Sequence, residues 1–175
     1  FSRCGVGWRL LSRVGVGDPF ALLSDLLAEE KGVEPLPKIG RLPGGKPFFP
    51  DFPQYHFNVS HSGPLGLCAL ADTPVGVDIE RVRPRKSGLP RYALGDRECA
   101  WFESRGSRWE DFYTLWTLKE ARVKCTGEGL RRPPREIAVP LLSPGERGEL
   151  EGFSFRTLAA EGWRGGLCWR LMKEK

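Results

Sequence analysis

No stretch of the chain approaches the ~20 consecutive apolar residues that a helical bilayer span requires, so membrane insertion is not expected. Cysteine is sparse and badly arranged for metal or disulfide work. Cys4, Cys68, Cys99, Cys125 and Cys168 are odd in number, scattered, and never form a C-x-x-C pair. Zinc and a disulfide framework are therefore both disfavoured, and the thiols read as buried or half-buried groups of a cytoplasmic protein. There are two histidines. A P-loop, a dinucleotide fingerprint and a G-x-S-x-G elbow are all missing. The segment after Phe1 has no basic region followed by an apolar run and a small-residue cleavage site, so no secretory signal is expected.

What is present is ample material for a core. The 175 residues are 40% hydrophobic and include six Trp and ten Phe, enough for one large domain or two small subdomains sharing an interior. The formal charge is +5. Ordinary solubility accounts for that value, and so does attraction to an acidic partner, a polyphosphate or a nucleic acid; charge leaves these open.

Local signals predict a mixed α and β order. Trp8 to Val14 reads as a strand. Asp18-Pro19 opens a helix, because the carboxylate accepts from free amides of the first turn and Pro at the first position has no amide to leave unpaired. Phe20, Leu22, Leu23, Leu26 and Leu27 keep one apolar face until Gly32. Residues 33 to 56 are mostly loop, with a short strand near Lys38 to Arg41. Phe57 to Ser60 and Leu65 to Ala71 form a hairpin around Ser62-Gly63-Pro64, followed by a strand from Val75 to Glu80. Arg81 to Pro90 is a basic connection. Asp96 is expected to cap a helix through Trp101 and Phe102. A longer helix begins after Ser107 and stops near Gly127 to Gly129. Three short strands are expected at Glu136 to Val139, Gly152 to Leu158 and Leu167 to Met172.

Three clusters carry candidate chemistry. Asp78 and Glu80, two apart on a strand, point to one face while Val77 and Ile79 point to the other. Taken alone this is the solvated side of a half-buried strand, yet paired carboxylates repel and a cation relieves the repulsion. On the long helix Trp116, Glu120 and Lys124 are spaced by four and form one stripe; alone, the Glu-Lys pair is a surface contact worth ~0.2–0.5 kcal/mol. Ser60 and His61 are strand neighbours facing opposite ways, so they cannot exchange a proton directly, and a serine hydrolase is not expected.

In order and spacing, Phe57-Asn58-Val59-Ser60-His61-Ser62, Gly76-Val77-Asp78-Ile79-Glu80 and Trp116-Thr117-Leu118-Lys119-Glu120-Ala121 resemble the signature of the 4′-phosphopantetheinyl transferases. Lys124, Gly129-Leu130 and the earlier Gly44-Gly45-Lys46-Pro47 fit the same pattern, and the likeness is to the longer type that activates peptide and polyketide synthases. It runs from about Gly44 to Val139. The resemblance implies an α+β fold of two similar α/β halves, 1–73 and 74–175, related by a pseudo-twofold axis with the active site between them. It implies a monomer that moves phosphopantetheine from coenzyme A to a serine of an acyl or peptidyl carrier protein, releasing 3′,5′-ADP, without nucleic acid or membrane. Asp78, Glu80 and Glu120 would hold Mg2+, a hard cation suited to oxygen ligands. His61, Lys119 and Lys124 would contact phosphates, Lys46, Pro47 and Ser60 would line the nucleotide end, and Glu120 and Lys124 would serve the chemistry. One departure stands out: the helix Pro19 to Lys31 lacks the arginine that usually holds the 3′-phosphate in such enzymes, so that contact is left unassigned, with Arg9, Arg13 or a residue elsewhere in the chain open for it. Two other readings remain. A metal-dependent nuclease is opposed by Arg81 and Val82 after Glu80, which break the compact acidic-x-Lys arrangement. An inactive carrier-binding homologue is opposed by the intact carboxylate set.

Overall fold

The computed structural model describes residues 10–129 and 131–172. Cys4, Trp8, Arg9 and Leu130, which figured in the expectations above, lie outside them. The first strand, β1 (Leu10–Val16), is followed by α1 (Pro19–Lys31). Asp18 caps this helix by accepting from the Phe20 amide at 2.9 Å, and Gly32 closes it in the left-handed conformation with φ 64°. The short strands β2 (Gly40–Arg41) and β3 (Pro47–Phe48) pair with each other. Then come β4 (His56–Ser62) and β5 (Leu65–Ala71), an antiparallel hairpin whose β5 also pairs with β1, giving the order β1-β5-β4.

The second sheet has the order β6-β9-β8-β7, antiparallel throughout, from β6 (Val75–Arg81), β7 (Arg147–Leu150), β8 (Phe153–Ala160) and β9 (Trp163–Arg170). Between β6 and β7 run α2 (Leu89–Ala93), α3 (Asp96–Ser104), α4 (Trp109–Thr126) and a 3-10 turn at Pro134–Glu136. The apolar faces stack these parts in layers. Leu23, Leu26 and Leu27 of α1 pack with Phe57, Cys68 and Leu70 of the first sheet. On that sheet's other face Leu67, Ala69 and Ala71 meet Val75, Val77, Ile79, Leu167 and Trp169 of the second. Beyond it, Leu115, Leu118, Ala121 and Cys125 of α4 pack with Phe155 and Cys168. The alternation of side chains along each strand makes this possible, since every strand offers one face to each neighbouring layer.

Two glycines let α4 lie close to the second sheet. A methyl group at Gly166 would stand 2.6 Å from the Thr117 carbonyl oxygen and 2.8 Å from the Leu118 nitrogen. At Gly76 it would collide with the Ala121 carbonyl oxygen and the Cys125 nitrogen. Backbone cannot yield as a side chain can, so Gly76→Ala is expected to cost about 1–3 kcal/mol. The check is a thermal melt: an unchanged midpoint would mean that α4 can move off the sheet freely.

Several expectations need correction. The residue that caps α3 is Gly95 rather than Asp96, and its amide donates to the Glu98 carboxylate at 2.8 Å. Glu136 to Val139 is not a strand. The carbonyls of Pro134, Ile137 and Ala138 accept from Lys119 and Arg122 of α4, so side-chain cations occupy positions that a neighbouring strand would need. The last strand begins at Trp163, earlier than Leu167: Gly165 and Gly166 read as breakers locally, yet Gly166 sits where α4 approaches and Gly165 faces Leu67 of the first sheet. α2 and β7 were not anticipated.

Candidate functional site

On β6, Gly76, Asp78 and Glu80 share the face turned toward α4, while Val77 and Ile79 fill the layer between the sheets. Asp78 is 4% exposed and Glu80 is half-buried. From α4, Glu120 and Lys124 lie one turn apart on the same helix face, both half-buried. The Lys124 Nζ donates to Asp78 Oδ1 at 3.1 Å and approaches Ser60 Oγ at 3.5 Å. Strand, hairpin and helix thus converge on one carboxylate.

The first sheet contributes through an unusual join. β6 is an edge strand of its sheet, and its outward amides need acceptors. Side chains of β4 supply them: Val77 N–H donates to Asn58 Oδ1 at 2.9 Å, Ile79 N–H to Ser60 Oγ at 3.2 Å, and Arg81 N–H to Ser62 Oγ at 3.1 Å. The polar alternation Asn58-x-Ser60-x-Ser62 was the sequence signal for this role, and it was absorbed into a motif instead.

Electrostatics reflects burial first, with like charges adding to it at Glu80 and Glu120. Burial pushes the Asp78 carboxyl above the ordinary range, and Lys124 opposes that shift. Glu80 is raised to about 7, first by burial and then by the Asp78 charge, with Glu120 adding to it. Glu120 is raised by burial and by Asp78, again opposed by Lys124. The three carboxylates feel one another, although among the described residues no group of three or more His, Cys, Asp or Glu side chains is gathered closely enough to grip a metal. One atom is nevertheless prepared for a cation. Asp78 Oδ2 is buried and has no hydrogen-bond partner, a costly state for a carboxylate oxygen. A buried open oxygen, two neighbouring carboxylates and no sulfur or imidazole beside them fit a hard divalent ion such as Mg2+.

Other expected residues fall elsewhere. Lys119 is the clearest correction: it is 1% exposed, and its Nζ is held by Glu98 Oε1 at 2.6 Å, Ile137 O at 2.7 Å and Pro134 O at 3.0 Å. With those partners it has no donor left for a phosphate. Its position on α4 explains this, since consecutive helical residues project about 100° apart and Lys119 therefore leaves the stripe of Glu120 and Lys124. Lys46 is also committed internally, donating to Val75 O at 2.9 Å and Cys125 O at 3.0 Å. It ties the loop before β3 to the end of α4 and offers no free charge to a nucleotide. Pro47 follows it in β3, half-buried. Ser60 is 8% exposed and its hydroxyl is spent on protein partners, so it lines the carboxylates rather than an open nucleotide surface. His61 is exposed and lies on the opposite face of β4 from Ser60. Arg13 pairs with Glu29 at 2.6 Å on the outside of α1.

Glu98 was not foreseen, because its partner Lys119 is brought to it by tertiary packing across α3 and α4. Arg122 was missed in the same way. It reaches Ala138 O and Glu151 Oε2, both at 2.6 Å, and holds the segment after the 3-10 turn against the helix.

Comparison with known proteins bears on the same segment. A family model for the 4′-phosphopantetheinyl transferase superfamily matches residues 74–161. A 4′-phosphopantetheinyl transferase of Bacillus subtilis is 32% identical over 136 residues, covering 76% of this chain and 60% of that protein. The 4′-phosphopantetheinyl transferase Sfp of Bacillus subtilis strain 168 is 35% identical over 104 residues, covering 58% of this chain and 46% of its own length. The 4′-phosphopantetheinyl transferase HetI of Nostoc is 34% identical over 139 residues, covering 74% and 58% respectively. The chain thus spans between 46% and 60% of the length of these relatives.

Proposed function

This chain belongs to the 4′-phosphopantetheinyl transferase superfamily, and from that premise we propose that it transfers the 4′-phosphopantetheine group of coenzyme A to the serine of an apo acyl or peptidyl carrier protein. The observation that carries the reading is Asp78, inside the matched segment, with one carboxylate oxygen held by Lys124 and the other unpartnered, and with Glu80 and Glu120 near enough to feel its charge. Asp78, Glu80 and Glu120 are the residues that would hold Mg2+, which supplies Lewis acidity and charge neutralisation at the pyrophosphate. Lys124 is half-exposed and its ammonium can turn from Asp78 to a phosphate oxygen as a charge-assisted donor. In this reading His61 would contact a phosphate and Pro47 would line the nucleotide end. The carrier serine hydroxyl attacks the β-phosphate, its proton passes to Glu120, and 3′,5′-ADP leaves. Burial and the Asp78 charge make Glu120 more basic than an ordinary carboxylate, which suits a proton acceptor.

In the same reading the chain is a cytoplasmic monomer of two α/β halves, 1–73 and 74–175, related by a pseudo-twofold axis. The row of hydrogen bonds between β4 and β6 supports placing the site at their junction. Incubating the protein with an apo carrier protein, coenzyme A and Mg2+ tests the activity. Intact-mass analysis should find the carrier heavier by one phosphopantetheine; an unmodified carrier across a panel drawn from fatty-acid, polyketide and peptide synthesis would refute it.

The carrier partner is proposed to be acidic. Arg81 at the end of β6, Arg83, Arg85 and Lys86 in the connection after it, and Arg91 in α2 form a basic stretch, and exposed charges are screened within about 8–10 Å near physiological ionic strength. The apparent KM for carrier protein is therefore expected to rise with salt at saturating coenzyme A and Mg2+. A constant that stays flat would point to a mainly apolar dock.

A further inference from the structure

Ser60 has a hydroxyl with one proton to give, and its partners settle where that proton goes. The Ile79 amide donates to Oγ at 3.2 Å, and the Lys124 ammonium, 3.5 Å away, is a donor as well. Asp78 Oδ1, 3.3 Å away, is the acceptor in reach. Oδ1 thereby receives both the Ser60 hydroxyl and Lys124, whereas Oδ2 of the same carboxylate, equally buried, receives nothing. A carboxylate free to rotate would share its donors between its oxygens. This one is held unequally, with one oxygen saturated from β4 and α4 and the other left open.

We propose that Ser60 is a positioning residue for Asp78: anchored by the Ile79 amide, it fixes the carboxylate so that Oδ2 is the oxygen presented to a divalent cation. This inference rests on the metal-binding reading of Asp78 given above. It assigns Ser60 a task distinct from the nucleotide contact expected from the sequence. The anchor matters as much as the hydroxyl. Because Ile79 is next to Asp78 on β6, the bond that locates Ser60 comes from the strand that carries the carboxylate, so the geometry is closed within a few bonds. Lys124, 33% exposed, can leave Oδ1 when a phosphate arrives. Ser60 is buried and tied to the backbone, and holds its place.

Ser62 supplies an internal control, since it also accepts from a β6 amide but touches no carboxylate among its recorded partners. Binding of Mn2+ as a paramagnetic probe is measured by electron paramagnetic resonance, with and without coenzyme A, on the unmodified protein and on Ser60→Ala, Ser60→Thr, Ser62→Ala and Asp78→Ala. Loss of a group that orients a metal ligand typically weakens binding 10–100-fold, so Ser60→Ala should bind Mn2+ about tenfold more weakly while Ser62→Ala stays within about twofold. Ser60→Thr, which keeps a hydroxyl, should recover most of the affinity, with circular dichroism as the folding check. Equal Mn2+ affinity in Ser60→Ala and the unmodified protein would overturn the proposal and leave the metal reading standing. Equal weakening in Ser60→Ala and Ser62→Ala would also overturn it, by reducing the effect to a damaged strand join. Unchanged binding in Asp78→Ala, or no Mn2+ binding by the unmodified protein in either state, would overturn the metal reading and the proposal with it.

Discussion

Asp78→Ala is expected to abolish transfer while leaving the fold intact. The substitution removes the carboxylate on which β4, β6 and α4 converge, together with the open oxygen suited to a cation. Metal-dependent stabilisation of developing charge is worth several kcal/mol, and each 1.36 kcal/mol is tenfold in rate, so the loss should be about 1,000-fold. Little stability should go with it. The apolar layers on either side are untouched, and Lys124 is exposed enough to turn to water. Asp78→Asn is the sharper companion: it preserves shape and can still accept from Ser60, but lacks the charge. Carrier-protein mass shift measures activity, and circular dichroism measures folding. Near-normal transfer by Asp78→Ala would remove the foundation of the proposed site.

Lys119→Ala should do the reverse, with a large loss of stability and little change in coenzyme A affinity. Its ammonium is 1% exposed and satisfies Glu98 and two carbonyls of the segment between α4 and β7. Removing one partner of a buried ion pair leaves the other charge uncompensated, at a cost of about 3–5 kcal/mol. For a protein of this size that corresponds to a fall of about 10 °C in Tm. The double variant Lys119→Met with Glu98→Leu should recover part of the loss, because it removes both buried charges. Recovery would be incomplete, since the carbonyls of Pro134 and Ile137 and the Gly95 amide lose their partners as well. Calorimetric titration with coenzyme A, done well below the melting temperature, separates the alternatives. A weakened ligand with an unchanged melt would return Lys119 to the phosphate.

The contrast between Asp78 and Lys119 marks what the sequence made legible. Elements with their signals inside them were readable: Asp18-Pro19 and Gly32 bound α1, turn residues separate β4 from β5, and the stripe along α4 ends at Gly127. The pairing of Asp78 and Glu80 on one strand face followed from a period of two. What could not be read depends on partners distant in the chain. Lys46 finds its acceptors 29 and 79 residues away, and Lys119 finds Glu98 on another helix. The strand expected at 136–139 failed for the same reason, because cations from α4 had taken its carbonyls. For Lys119 a helical wheel already separated it from Glu120 and Lys124; the motif's contiguity in sequence concealed a divergence in space.

The join between β4 and β6 has a consequence for alignment. An ordinary strand pair is held by identical backbone groups, so sliding by two residues restores nearly the same pattern of bonds. Here the teeth differ. An amide side chain meets Val77 and hydroxyls meet Ile79 and Arg81. A slip of one residue would present Phe57 and Val59, which have no acceptor, to the Val77 and Ile79 amides, and would set the bulky His61 ring where the small Ser62 meets Arg81. A slip of two would set a long Asn side chain where a short Ser is accommodated, and would carry Ser60 away from Asp78. The contact works as a keyed lock between two sheets. By admitting a single setting, it transmits the register of β4 to the carboxylates of β6.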